Sequence, residues 1–315
     1  MSVGSRGTFT ATRALVASAL VAGAGLLVAA CGGEGGPRPD LLLVSTRDGD
    51  YAIYALNADG GRQARFTEGG RSDPSSPQEL FFQIDPAWSP NGRLIAFSSK
   101  RTGSFDIFVM NADGTGTHRL TSTRDDEANP TWSPDGKRLA FDRGRDIYAV
   151  NADGTGLLRI TDDQAADTEP AWSPDGRWIA HLKGAVETVG KDLREVWLTR
   201  PDGTGSHALT TLGVGSYSPA WSPDSSRIAF ASDKGRGGFF DIYTVGVDGK
   251  GLRRLTRTGP DAFEPAWSPD GATIAFSRGG AIVMIDLEGN EEEVTDRDNN
   301  DSSPAWKPRP PEATG

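Results

Sequence analysis

A proline, any residue, then tryptophan recurs six times along this chain, at Trp88, Trp132, Trp172, Trp221, Trp267 and Trp306, with spacings of 44, 40, 49, 46 and 39 residues. Five of the six continue as Trp-Ser-Pro. Two further markers keep step with it. One is an acidic residue followed by glycine, at Asp59-Gly60, Asp113-Gly114, Asp153-Gly154, Asp202-Gly203, Asp248-Gly249 and Glu288-Gly289. The other is an apolar residue followed by threonine, ending at Thr67, Thr121, Thr161, Thr210, Thr256 and Thr295. Several short strands within a period of 40 to 50 residues is the signature of a propeller blade, a unit too small to cover its own apolar faces.

One unit shows how the pattern folds. Pro130-Thr131-Trp132 reads as an extended strand A, and Ser133-Pro134-Asp135-Gly136 as a tight turn in which proline sets φ and glycine supplies a positive φ. Lys137 to Phe141 alternates as strand B, Asp146 to Val150 as strand C, and Leu157 to Thr161 as strand D, with Asn151-Ala152-Asp153-Gly154 as the C–D hairpin. The first unit opens at Leu41 to Ser45, which matches strand B, and the last ends in a strand A around Trp306 with nothing after it. The expected fold is therefore all-β: a six-bladed β-propeller of four-stranded antiparallel blades, spanning 41–307 and closed by the C-terminal strand completing the first blade. Closure removes the open sheet edges that would invite aggregation.

Residues 1–30 read as a lipoprotein signal peptide. Arg6 and Arg13 form a basic start, and an uncharged run from Ala14 to Ala30 stops at Val28-Ala29-Ala30-Cys31. That ending resembles the bacterial lipobox, with Cys31 as the lipidated residue; a plain signal peptide or an uncleaved anchor is the simpler alternative. Cys31 is the single cysteine, so no disulfide can form within the chain. Residues 31–40 read as a flexible tether and 308–315 as a disordered tail. The implied location is the cell envelope: lipid-anchored to the cell membrane or an outer membrane, facing periplasm or exterior. The net charge is −10, with 43 acidic against 33 basic residues, which disfavours nucleic acid as a partner and favours a basic protein or a cation. A monomer is expected.

Units of the form Pro-x-Trp-Ser-Pro-Asp-Gly, Ile-Ala-Phe, Asp-Ile-Tyr, Asn-Ala-Asp-Gly and Arg-Leu-Thr, clearest over 85–121 and 129–161, resemble the WD-like repeats of the TolB propeller family. The resemblance implies the propeller fold and a binding face at the channel mouth. It implies function less strongly, because one fold hosts many activities. The family's namesake carries an α/β domain ahead of its propeller, whereas a short tether precedes Leu41 here. That departure weighs against the expectation of the namesake's own direct role in a Tol–Pal system.

The A–B and C–D turns are near-uniform, whereas the D–A and B–C loops vary, 68–84 and 182–194 being the long ones. Varied loops suit recognition. The residues just before the proline of strand A are Asp85, Asn129, Glu169, Ser218, Glu264 and Ser303, expected to ring the channel mouth from the D–A loops. Three readings follow: a solvated polar rim, a docking surface for a basic envelope protein or peptide, or a calcium-type site. Asp85, Asn129, Glu169 and Glu264 are the expected partner contacts, and a triple exchange of the three acids for lysine is expected to spare the fold. No cofactor is expected; a structural calcium is the weaker alternative, since the spacing has no EF-hand order. His181 stands where other units have Phe97, Phe141, Phe230 and Phe276 and reads as a core substitution, while His118 and His207 fall on outer strands. With no nucleophile elbow or zinc motif, the expected function is a non-enzymatic binding protein. The alternative is a propeller enzyme or a metal-dependent small-molecule or saccharide binder.

Overall fold

The computed structural model describes residues 40–57, 63–67, 82–184, 193–235, 238–257 and 259–309. The leader, Cys31, the tether, the 58–62 turn and the greater part of the two long loops lie outside the described residues. Six four-stranded antiparallel sheets follow one another, and among the described residues the only helical turn is a 3-10 turn at Arg297–Asn299. Blade I combines Leu41–Ser45, Ala52–Leu56 and Gln63–Arg65 with the C-terminal strand Ser302–Trp306. Leu41 pairs with Trp306 and Leu42 with Ala305, so the last strand of the chain is the innermost strand of the first blade. In blades II to VI strand A is Gln83–Trp88, Glu127–Trp132, Ala166–Trp172, Ser216–Trp221 and Ala262–Trp267.

The repeated residues each hold a defined place. In the A–B turn the serine hydroxyl donates to the aspartate (Ser133 Oγ to Asp135 Oδ1, 2.6 Å) and accepts from the backbone five residues on (Arg138 N, 2.9 Å). The aspartate in turn accepts from Lys137 N at 3.0 Å. In the C–D turn Asp153 accepts both the backbone N–H and the hydroxyl of Thr155. The Asp-Gly pairs are thus consumed in turn geometry. The closing threonine reaches back into its own blade. Its Oγ1 accepts an N–H near the start of strand C in all six blades, from Thr67 with Ile53 at 3.0 Å to Thr295 with Ile282 at 2.9 Å. Strand D is only two or three residues long. The threonine is therefore what ties the outermost strand down. Where strand C opens with aspartate, the arginine of strand D pairs with it: Arg119 with Asp106, Arg159 with Asp146 and Arg254 with Asp241, at 2.7 to 2.8 Å.

The core lies between blades. Phe97, Phe141, Phe230 and Phe276 are fully buried in strand B. Trp88 packs with Phe97 of its own blade and with Leu42 and Ile53 of blade I. Two tryptophans also donate Nε1 to the preceding blade, Trp132 to Ala87 O at 3.2 Å and Trp221 to Ala171 O at 2.9 Å. They are packing residues. His181 is fully buried among them, its Nε2 2.9 Å from Thr199 Oγ1 and its Nδ1 3.2 Å from Asp167. His118 and His207 lie exposed on strand D.

Candidate functional site: a carboxylate ring on the innermost strands

Strand A does not begin at its proline. It starts two or more residues earlier, so Asp85, Asn129, Glu169, Ser218, Glu264 and Ser303 sit inside the innermost strands and not in the D–A loops where the sequence pattern placed them. The reason is a β-bulge that proline at first sight conceals. In blade II the register runs Ile84 with Ser98 and then Ala87 with Ala96, so Asp85 and Pro86 together face Phe97 alone. The same two-against-one step faces Phe141, His181, Phe230 and Phe276 in blades III to VI, and Leu43 in blade I. Proline, which has no N–H to give a ladder, is tolerated at such a bulge.

At every bulge the residue before proline is left-handed: φ is 55° at Asp85, 53° at Asn129, 53° at Glu169, 52° at Ser218, 56° at Glu264 and 51° at Ser303. None is glycine. Such a conformation costs about 1–3 kcal/mol per residue unless its surroundings hold it. At Glu169, Ser218 and Ser303 the preceding blade holds it. Ser218 N donates to Glu169 Oε2 at 2.7 Å, Ser303 N to Glu264 Oε2 at 2.7 Å, and Glu169 N to Asp142 Oδ1 at 3.3 Å. Each side chain reaches forward and latches the bulge of the next blade. Ser218 Oγ and Ser303 Oγ add bonds of 3.1 and 3.2 Å to the same glutamates, and Ser277 Oγ donates to Glu264 at 3.0 Å.

The carboxylates converge. Burial, opposed by hydrogen bonds from Asn129 and Glu169 N and reinforced by the negative charges of Glu169 and Asp85, pushes Asp142 up to about 7. Burial also raises Glu169, whose charge is favoured by Ser218 and Arg194 but opposed by Glu264. Glu169 and Glu264 belong to blades IV and VI, so their mutual repulsion acts between blades that are not neighbours. The Arg194 guanidinium lies 3.8 Å from Glu169, and Glu169 keeps 23 % of its side-chain surface exposed. The structure thus brings Asp85, Asp142, Glu169 and Glu264 into one electrostatic unit, with Asn129 holding Asp142 at 2.7 Å.

Asp142 is absent from the sequence-based set. The signal was present: it follows the core Phe141 of strand B, where the other units carry Val44, Ser98, Leu182, Ala231 and Ser277. The structure also corrects the expectation that lysine at Glu169 and Glu264 leaves the fold untouched, because both carboxylates accept backbone N–H groups of the next blade. Among the described residues, no three His, Cys, Asp or Glu side chains are grouped to hold a metal ion.

The family model described as TolB beta propeller domain matches residues 77–146 and 183–311. The chain belongs to that family. A protein of Agrobacterium fabrum described as uncharacterized is 36% identical over 78 residues, 24% of this chain and 23% of that relative. The Tol-Pal system protein TolB of Syntrophus aciditrophicus is 49% identical over 39 residues, 12% of this chain and 9% of its own length. The matched stretches therefore span under a quarter of these relatives. Among solved structures, TolB from Acinetobacter baumannii superposes with a TM-score of 0.71 at 21% identity, over 86% of this chain and 67% of that one. An oligogalacturonate lyase in complex with manganese shares the fold at a TM-score of 0.53 and 16% identity, over 66% of this chain and 64% of that one.

Proposed function

We propose that this TolB-family propeller is an exported, lipid-anchored binding protein of the cell envelope, held by Cys31, that takes a basic protein or peptide segment at its channel mouth. The observation that carries the reading is the convergence of Asp85, Glu169 and Glu264 on the innermost strands with Asp142 on the adjoining strand B. Four acidic groups with one arginine, Arg194, among them form a negative field that steers a cationic segment and sets its on-rate. The relatives named TolB, components of the Tol-Pal system, support an envelope setting and a protein partner.

The test is affinity capture and cross-linking from native envelopes with matched variants. Asp85→Asn combined with Glu169→Gln and Glu264→Gln removes three charges yet leaves positions 169 and 264 an oxygen to accept their latches. A partner captured by the native chain and lost by this folded variant supports the reading. Capture that survives the loss of all three charges means another surface is used. The second reading, a propeller enzyme or metal-dependent saccharide binder, draws on the fold shared with the lyase. Stoichiometric metal retained through chelation, together with turnover of an oligosaccharide, would move the assignment there.

A further inference from the structure

Comparison of the six blades with one another exposes a site that the channel ring does not include. In blade I, Arg47 follows the end of strand B and stacks over Tyr54, its guanidinium carbon 4.6 Å from the ring centroid. Its Nε donates to Ser45 Oγ at 2.9 Å, and its Nη2 donates to both carboxylate oxygens of Asp301 at 2.9 and 3.0 Å. Asp301 lies two residues before the left-handed bulge residue Ser303 and is buried. Blades III and IV repeat the pairing with Glu127 beside Arg143 (3.9 Å) and Asp167 beside Lys183 (3.5 Å), each acid again two residues before the bulge.

Blade II keeps the cation and loses the acid. Arg101 stacks over Phe108 at 4.8 Å, the residue equivalent to Tyr54, and its Nε donates to Ser99 Oγ at 3.2 Å, the residue equivalent to Ser45. The position of Asp301, Glu127 and Asp167 is occupied by Gln83. The acid opposite Ser99 in the sheet, Asp106, is already engaged by Arg119 at 2.7 Å and by Thr102. Desolvation by the surrounding protein lowers the guanidinium below its usual value, and among the described residues no anion counters it. Blade VI, with Ala262 at the equivalent position, supplies its Arg278 with Glu291 at 2.6 Å instead. In blade V the position holds Ser216, and the cation, Lys234, is exposed to water.

We propose that Arg101 is a carboxylate-binding site, in which an external carboxylate takes the place that Asp301 takes on Arg47. The guanidinium is already oriented by Ser99 and by the Phe97 and Phe108 rings, so two of its donors are presented without further ordering. Lys100, its neighbour in the chain, lies 5.8 Å above Phe105, which begins a series of part-exposed aromatics continuing through Phe82 and Tyr51 at ring-centroid distances of 6.2 and 4.9 Å. The surroundings fit a carboxylate borne by a peptide, either its C-terminus or an acidic side chain.

The full chain, labelled with 15N, is titrated with acetate while the Arg101 Nε–Hε resonance is followed, with chloride at equal ionic strength as the control. The expected result is a saturable acetate-dependent shift that chloride does not cause. Gln83→Asp, which installs the internal partner of blade I, is expected to weaken acetate binding about tenfold or more, the worth of one charge-assisted pair. Arg101→Gln removes the site independently and keeps the test valid if Gln83→Asp fails to fold. N-acetylphenylalanine against N-acetylaspartate amide distinguishes a C-terminal from a side-chain source, and tighter binding of either than of acetate assigns it. No acetate response, an undiminished response in folded Gln83→Asp, or an equal response to inorganic phosphate overturns the proposal.

Discussion

Asp142→Asn separates the electrostatics of the channel ring from its packing. Asp142 is raised from 3.8 to about 7, because burial and the charges of Glu169 and Asp85 outweigh the hydrogen bonds from Asn129 and Glu169 N. A folded value above the unfolded one means that the native state binds the proton more tightly. Stability is then full below about 4, falls as pH rises through the interval, and levels off above about 7. An interval of about 3 pH units corresponds to at most ~4 kcal/mol. Asparagine keeps an oxygen for Glu169 N and carries no charge. The variant should therefore match the native chain near pH 4 and exceed it by up to ~4 kcal/mol at pH 8. For a chain of this size that is a melting-temperature gain of the order of 5–10 °C. Denaturant unfolding at pH 4.5, 6, 7 and 8, with carboxyl NMR titration of Asp142, provides the assay. Native and variant stability curves that run parallel through this window would refute the coupled ring.

Other parts of the architecture carry their own expectations. Thr256→Val removes the acceptor of Ile242 N and a donor to Asp241, both buried, and should cost about 1–3 kcal/mol, read by denaturant midpoint. Trp172→Ala, at a side chain 6% exposed between blades, should cost about 3–5 kcal/mol, with loss of cooperativity visible in calorimetry. Ser218→Val places a β-branched side chain at φ 52° and removes the hydroxyl bond to Glu169; a loss of about 1–3 kcal/mol is expected, while Ser218→Gly should be close to neutral. Deleting Ser302–Trp306 unpairs Leu41–Ser45, and the exposed edge should show as concentration-dependent aggregation by light scattering.

The repeat spacing was enough to determine six blades, their hairpins and the circular closure, because strand periodicity and turn chemistry are local and were written six times over. The roles of the tryptophans and of His181 were legible for the same reason, since a residue at a fixed place in every unit has a fixed environment. The ring was legible only in part. Asp85, Asn129, Glu169 and Glu264 were found by their common position, but their left-handed bulge was not, because proline conventionally marks where a strand begins rather than a kink within one. Asp142 comes from strand B of blade III and Arg194 from strand C of blade IV itself, so only the packing of blade III on blade IV and the folding of blade IV bring them to Glu169. Arg101 differs from Arg47 by the residue opposite it, Gln83 in place of Asp301, and Asp301 lies 254 residues from Arg47 in the chain. Local chemistry made the blades. Charge, burial and the forward reach of each glutamate to the next blade are properties of the assembled ring, and tertiary structure alone decided them.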